Sequence, residues 1–239
     1  MIRNESERFL RSALDVWATF SDEILILDDS STDNSKAIAE DAGACVLDAE
    51  MESLAWGREA PTRALLWEHA VSHSSEGDYI FILDADMIPA QSPCPLLDAE
   101  PDAVAFALFD LWGETEDGRR FFRNDSLWRG HLYPRVWLVK APKKPQEPWE
   151  WSTRGIHTGH FPVNLPLERV MVAPREYSLL HYAYVSDDLR QEKASRYASV
   201  WDDLTAFERT HASSILDVSP QISPLPFHAP LRLDRSCKS

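Results

Sequence analysis

A single α/β domain with a mostly parallel central sheet flanked by helices is what this sequence predicts, on three observations. Helical and extended patterns alternate over about the first 90 residues, the signature of strands covered by helices on their faces. The strands read as short continuous apolar runs, as strands buried on both faces do. Two of these runs stop on acidic clusters, Asp28-Asp29 and Asp84-Ala85-Asp86. Open sheets bind ligands beyond the carboxyl ends of their strands, so both clusters are expected at one edge of one sheet.

The elements follow in order. Glu5 to Phe20 reads as a helix, with Phe9, Leu10, Ala13, Leu14, Trp17 and Phe20 at helical spacing. Glu23 to Leu27 is an apolar run read as a buried strand, and Asp28 to Asn34 is a dense turn and cap cluster. Ser35 to Ala42 is a second helix, ended by Gly43, and Ala44 to Leu47 is another short strand. Ala60 to Ser72 is helical, and Asp78 to Leu83 is the clearest strand of all. Further on, Ala103 to Leu111 and Leu132 to Lys140 read as strands, Gly113 to Arg123 as a polar turn, and Pro142 to Pro148 as a loop. Asp187 to Arg209 reads as a long polar-faced helix. The domain is expected to span residues 1–217, with a nucleotide-binding half over about 1–100 and an acceptor half over about 101–217. Residues 218–239 carry Pro220, Pro224, Pro226 and Pro230 and are expected to form an irregular, mobile or surface-draped tail.

Composition narrows the function. The 239 residues carry 24 Lys and Arg against 39 Asp and Glu, a formal charge of −15. General nucleic-acid binding, which rests on cations neutralising phosphates, is not expected. The three cysteines, Cys45, Cys94 and Cys237, are too scattered for a disulfide framework and fit free thiols in a reducing cytoplasm. No apolar run has the length of a membrane span and the start has no signal-peptide pattern, so a cytoplasmic protein is expected, with peripheral membrane contact left open.

The two acidic clusters carry the chemistry. Asp84 and Asp86 lie two residues apart at a strand end, and hard divalent cations prefer such carboxylate oxygens, to which a diphosphate adds its own. Asp28 and Asp29 sit directly before a helix. Ser31, Thr32 or Asp33 suffices to cap that helix, which leaves the adjacent acids free to accept from a base N–H or ribose hydroxyls.

These segments together resemble the family 2 glycosyltransferases of GT-A fold. The resemblance runs through Ile26-Leu27-Asp28-Asp29-Ser30-Ser31-Thr32-Asp33-Asn34-Ser35 and, about fifty residues on, Gly77-Asp78-Tyr79-Ile80-Phe81-Ile82-Leu83-Asp84-Ala85-Asp86. Arg3-Asn4-Glu5 resembles the family's R-N-E segment, although most of the strand that precedes it in the family is not in this sequence. The resemblance implies a nucleotide-sugar donor, UDP by family habit, and a divalent metal, Mn²⁺ or Mg²⁺. It implies that Asp28 or Asp29 contacts the nucleoside, that Asp84 and Asp86 hold the metal and diphosphate, and that Arg63 and Arg3 face the ribose, diphosphate or base.

A second likeness lies in Gly155-Ile156-His157-Thr158-Gly159-His160, in Leu180-His181-Tyr182-Ala183-Tyr184-Val185-Ser186, and in Lys193 with Arg196-Tyr197. It resembles a subgroup that includes lipopolysaccharide-core glucosyltransferases, with Thr158 where that subgroup carries a Glu. On this basis His181 is a candidate third metal ligand or diphosphate contact, and Lys193 a group that offsets diphosphate charge. Inversion by direct attack of an acceptor hydroxyl is implied. His157 and His160 are the first candidates for the base, with Glu150 or Glu168 behind them. The acceptor is a glycan, a lipid-linked glycan or another hydroxyl compound. Tryptophans 112, 128, 137, 149 and 151 are either core or a stacking surface for sugar rings. Two rival readings are a non-catalytic nucleotide-sugar-binding module of the same fold and a nucleotidyltransferase. The second calls for a Gly-rich basic loop near the N-terminus, where Arg3-Asn4-Glu5 stands instead in a chain with 8 glycines.

Overall fold

The computed structural model describes residues 1–49, 59–143, 147–152 and 159–233. Its helices are α1 (Leu10–Trp17), α2 (Ser35–Asp41), α3 (Glu59–His73), α4 (Cys94–Leu97), α5 (Asp187–Ser199) and α6 (Ala206–Ser214). Its strands are β1 (Leu25–Asp28), β2 (Cys45–Asp48), β3 (Tyr79–Phe81), β4 (Met87–Pro89), β5 (Ala103–Phe106), β6 (Leu108–Glu114), β7 (Arg120–Arg123), β8 (Arg135–Lys140), β9 (Val170–Val172), β10 (Leu179–His181) and β11 (Ile222–Pro224). Among the described residues, no helix is long and apolar enough to cross a membrane.

The fold is α/β, but the sheets are mixed rather than mostly parallel. β1 and β2 form a parallel pair, and the other strands make a five-stranded sheet, β11-β7-β6-β10-β4, and a four-stranded sheet, β3-β8-β5-β9. β8 lies antiparallel between β3 and β5, and β7 is the antiparallel partner of β6. The reason is in the connections. A parallel neighbour needs a long crossover, usually a helix. Between β5 and β10 no α-helix is formed among the described residues, so the chain returns through hairpins and loops. The two acidic turns therefore do not close one sheet. Asp28 ends a strand of the parallel pair, and Asp84 follows a strand of the four-stranded sheet.

The two larger sheets are joined by the chain itself. β5 pairs in parallel with β9, and their continuations β6 and β10 pair in parallel in the other sheet. Asp84-Ala85-Asp86 is a third crossing, the link between β3 in one sheet and β4 in the other. The long apolar run expected from Ala103 to Leu111 is thus two strands, divided at Ala107.

Helix α1 is shorter than expected but buries the expected face, Leu10, Ala13, Leu14 and Trp17. The Trp17 indole N–H donates to the Met87 carbonyl at 3.1 Å, which fixes the helix on β4. Gly43, with φ +81°, ends the turn after α2 as the sequence indicates, in a conformation that costs a side-chain-bearing residue more. The long helix expected from Asp187 breaks after Ser199, and α6 restarts on a capping box in which Thr205 and Glu208 exchange side-chain to backbone hydrogen bonds.

The tail departs from the expected irregularity. Ile222–Pro224 pairs antiparallel with β7, at an edge position where proline's missing N–H is tolerated. Phe227 packs edge-on against Phe109 at 5.2 Å, and Leu233 is buried beside the Tyr182 hydroxyl. Phe109 is fully buried and also meets Phe122 at 4.7 Å. Phe109→Ala is expected to cost about 3–5 kcal/mol in urea unfolding, the range for a buried aromatic truncated to alanine. Phe227→Ala is expected to cost less, because its ring is only partly buried. A Phe227→Ala variant as stable as the parent would show that the tail is not docked.

Candidate active site

Three short segments assemble the site, and the first is the N-terminal one. Ile2 forms a parallel bridge to Asp28, with its N–H on the Leu27 carbonyl and its carbonyl accepting from the Asp29 N–H, both at 2.9 Å. The following residues zip onto the turn between β1 and α2. Asn4 N–H donates to Ser31 Oγ at 3.1 Å and Thr32 N–H to Asn4 Oδ1 at 2.8 Å, while Glu5 N–H donates to Ser35 Oγ at 2.7 Å. Asp33 accepts from the Ser6 and Ser35 amides and hydroxyls. Burial works against its charge, but the bonds from Ser35 and Ser6 bring its carboxyl down to about 2. Asn4 and Ser30 both take the left-handed conformation, φ +54° and +57°, which asparagine accommodates better than most residues.

The zipper fixes Asp28 and Asp29, which are 5% and 8% exposed. Asp28 Oδ2 accepts from the Ser31 N–H at 3.1 Å, and Asp29 Oδ2 meets Arg3 Nη1 at 3.3 Å. Their other oxygens, Asp28 Oδ1 and Asp29 Oδ1, are buried and receive no hydrogen bond among the described residues. Buried acceptors are nearly always satisfied, so two adjacent exceptions among the described residues single out this turn.

The second segment is Asp84-Ala85-Asp86, where the two carboxylates take different partners. Asp84 Oδ1 lies 3.7 Å from Arg63 Nη2, delivered by α3. Desolvation raises the Asp84 carboxyl, but Arg63 first, then His160 and His181, hold it well below the usual carboxylate range. The amino end of Met1 also lies within electrostatic reach of Asp84 and Arg63, so residues 1–3 span the distance from this turn to Asp28 and Asp29. Asp86 Oδ2 lies 3.6 Å from His181 Nε2.

The third segment is the end of β10 with α5. The other ring nitrogen of His181, Nδ1, is 2.7 Å from Asp110 Oδ1 on β6, its parallel partner across the sheet. Burial pulls the imidazole down, but Asp86 and the hydrogen-bonded Asp110 outweigh it and raise His181 to about 9. Lys193 on α5 is also raised despite its burial, by Asp86 foremost. A small cleft lined by Arg8, Phe9, Asp86, Ala183, Glu192 and Lys193 opens beside these groups.

The structure thus brings Arg63, Asp84, Asp86, His181 and Lys193 into one charged neighbourhood and connects it through residues 1–3 to Arg3, Asp28 and Asp29. His160 belongs here too, packed at a tilt against Trp137 with ring centroids 4.0 Å apart and within electrostatic reach of Asp84. His157 lies outside the described residues. Asp84, Asp86 and His181 do not gather as three ligand atoms within 4.8 Å of one another; among the described residues that is true only of Cys45, His69 and His73. Trp112, Trp128 and Trp137 are core residues.

Two site residues escaped the sequence reading. Glu5 is held by Arg8 of the cleft wall at 2.8 Å and lies within electrostatic reach of Asp86, Lys193 and Asp84. Burial first of all, with the carboxylates, pushes Glu5 up to about 7. Asp110 is the carboxylate behind His181, and its one sequence signal was an acid inside the apolar run Phe109-Asp110-Leu111.

Residues 3–107 match the family model of Glycosyl transferase family 2, 105 of the 239 residues. Over this N-terminal part the chain is similar to family 2 glycosyltransferases. No curated protein matches the chain.

His181 generates a pH signature. Its folded pKa is raised above the ordinary 6.5, so its contribution to stability is complete below about 6.5 and is lost as pH rises through about 9. Thermal unfolding of the metal-free chain is expected to show a falling melting temperature across that window, and His181→Gln is expected to flatten the fall. An equal slope in parent and variant would remove the imidazolium from its place between Asp86 and Asp110.

Proposed function

We propose that this chain is a GT-A glycosyltransferase that moves a sugar from a nucleotide-diphospho-sugar, a UDP-sugar, to an acceptor hydroxyl with inversion. The observation that carries the reading is the pair of buried carboxylate oxygens on Asp28 and Asp29 that receive no hydrogen bond among the described residues. An imide N–H of a pyrimidine and the hydroxyls of a ribose are the donors that such a pair of acceptors suits. Arg3, already on Asp29, is placed to face the same nucleoside. The transferase domain is residues 1–217, its nucleotide half about 1–100 and its acceptor half about 101–217, with 218–233 closing over the edge of the five-stranded sheet.

The cleft supports the rest of the assignment. A sugar nucleotide brings a diphosphate that must leave with added negative charge, and Arg63 and Lys193 are cations set beside the carboxylates to receive it. The donor set suits a Mn²⁺ or Mg²⁺ ion, which when bound supplies a Lewis acid for the departing diphosphate. Asp86 Oδ2 and His181 Nε2 are 3.6 Å apart, a span two ligands of one ion can adopt. Asp110 on the far nitrogen of His181 is the carboxylate–imidazole arrangement that orients a histidine ligand. Asp86 and His181 are the proposed ligands, with Asp84 as the further carboxylate. Ligation requires His181 to give up the proton it holds in the free protein. His160, packed against Trp137, is the described candidate to take the acceptor proton. His157 shares that candidacy.

Donor hydrolysis and transfer over a panel of nucleotide sugars with Mn²⁺ test the reading directly. Turnover supports the enzyme; tight binding without turnover supports the non-catalytic module; no nucleotide sugar raising the melting temperature defeats both. Asp86→Asn is expected to lower kcat by roughly 10²–10³-fold, the usual loss for one group that stabilises developing charge. Mn²⁺ addition near neutral pH is expected to release a proton in weakly buffered solution, and His181→Gln to suppress that release. Unchanged proton release in the variant would take His181 out of the ligand set.

A further inference from the structure

A second cluster of ligating side chains lies away from the cleft. Cys45 opens β2, and His69 and His73 occupy successive turns of α3, four residues apart and therefore on one face. One ligand atom from each lies within 4.8 Å of the other two. Cys45 Sγ and His69 Nε2 are 3.7 Å apart, and the two imidazole centroids 4.2 Å. His73 Nδ1 is held by Glu23 Oε1 at 2.9 Å, just before β1.

We propose that Cys45, His69 and His73 form a binding site for a borderline-soft divalent transition-metal ion of the Zn²⁺ class. Sulfur and two imidazoles are the donors such an ion selects, whereas Mg²⁺ and Mn²⁺ prefer oxygen. The spacing agrees with the chemistry. Zinc bonds of about 2.3 Å to sulfur and 2.05 Å to nitrogen, opened to a tetrahedral angle, put the two atoms roughly 3.6 Å apart. The observed 3.7 Å between Cys45 Sγ and His69 Nε2 is close to that edge. The outer partner is also present. With Nδ1 on the Glu23 carboxylate, His73 has Nε2 left for a ligand, the carboxylate–imidazole pairing of metal histidines. Three protein ligands leave the fourth position to water, and the half-exposed rim at His73 and Glu23 gives it access.

The ion would tie three chain segments: the approach to β1, the start of β2 and the last turns of α3. Arg63 lies six residues before His69 on the same helix, roughly 9 Å along its axis at 1.5 Å per residue. The site is therefore a staple that sets the position of the helix delivering Arg63 to Asp84. It does not depend on what the cleft binds.

Co²⁺ titration of the chelator-stripped full chain tests the assignment. About one equivalent is expected to bind with visible bands of tetrahedral intensity and a near-ultraviolet thiolate charge-transfer band, both erased by Zn²⁺. Cys45→Ser is expected to abolish the charge-transfer band, and His73→Ala to weaken Co²⁺ binding at least tenfold. Asp84→Asn with Asp86→Asn is expected to leave the band intact, which separates this site from the cleft. Zn²⁺ is expected to raise the melting temperature of the parent but not of His73→Ala, whose exposed position makes it the variant that stays folded. Cys94 and Cys237 remain in Cys45→Ser, so a band that survives there belongs to another thiol and overturns the proposal. A parent chain with no thiolate band at stoichiometric Co²⁺ does the same.

Discussion

The structure depends on keeping four carboxylates together in one charged neighbourhood. Glu5, Asp84, Asp86 and Asp110 come from three separate segments, and mutual repulsion and desolvation oppose their meeting. Arg8, Arg63, His181 and Lys193 answer them, each from yet another place: the turn before α1, α3, the end of β10, and α5. Removing one member of such a set strands an uncompensated charge, which costs far more than the pair itself contributes. The two halves of the chain are therefore bound electrostatically as well as by packing. The first supplies most of the acids, and the second supplies His181 and Lys193. Four acids thus face four basic groups in the free protein.

The segment Ile2 to Ser6 does a similar job by hydrogen bonding. A single parallel bridge at Ile2 is a weak strand pairing by itself. The side chains of Asn4, Ser31, Asp33 and Ser35 extend it into a continuous seam along the β1–α2 turn. Serine, asparagine and aspartate are suited to this, because their short side chains reach neighbouring backbone amides. The seam also explains how Arg3 and Glu5, on either side of the left-handed Asn4, serve different places. One meets Asp29, and the other meets Arg8 of the cleft wall.

Much of the first half was legible in the sequence. The runs at Ile26-Leu27 and Tyr79–Phe81 are strands because continuous apolar residues have no solvated face to offer, and α2 and α3 lie within a residue or so of their expected limits. Asp28, Asp29, Asp84 and Asp86 stood out because acids directly after buried strands need a reason to be there. The second half was less legible for physical reasons. β4, β9 and β10 are three residues long, too short for a periodic pattern. β7 reads as Arg-Phe-Phe-Arg, a polar turn by composition, yet Arg120 and Arg123 are buried. The Arg123 guanidinium lies 4.7 Å from the Trp112 ring and is held by Asp125, Asp217 and the Ser214 carbonyl, partners up to 94 residues away that no local pattern reveals. Glu5 and Asp110 were hidden because their importance lies in long-range neighbours rather than in spacing.

The crossing at Asp84-Ala85-Asp86 has a mechanical consequence. The Ile82 amide is anchored on the Trp137 carbonyl of one sheet, and the Asp86 carbonyl accepts from the Tyr182 amide at the end of the other. The turn is a strap riveted at both ends to separate bodies. An occupant that draws Asp84 and Asp86 together pulls on both bodies at once, so tension at a few atoms is carried to β8 on one side and β10 on the other, and the stiffness of the molecule as a whole becomes a readout of whether that turn is loaded.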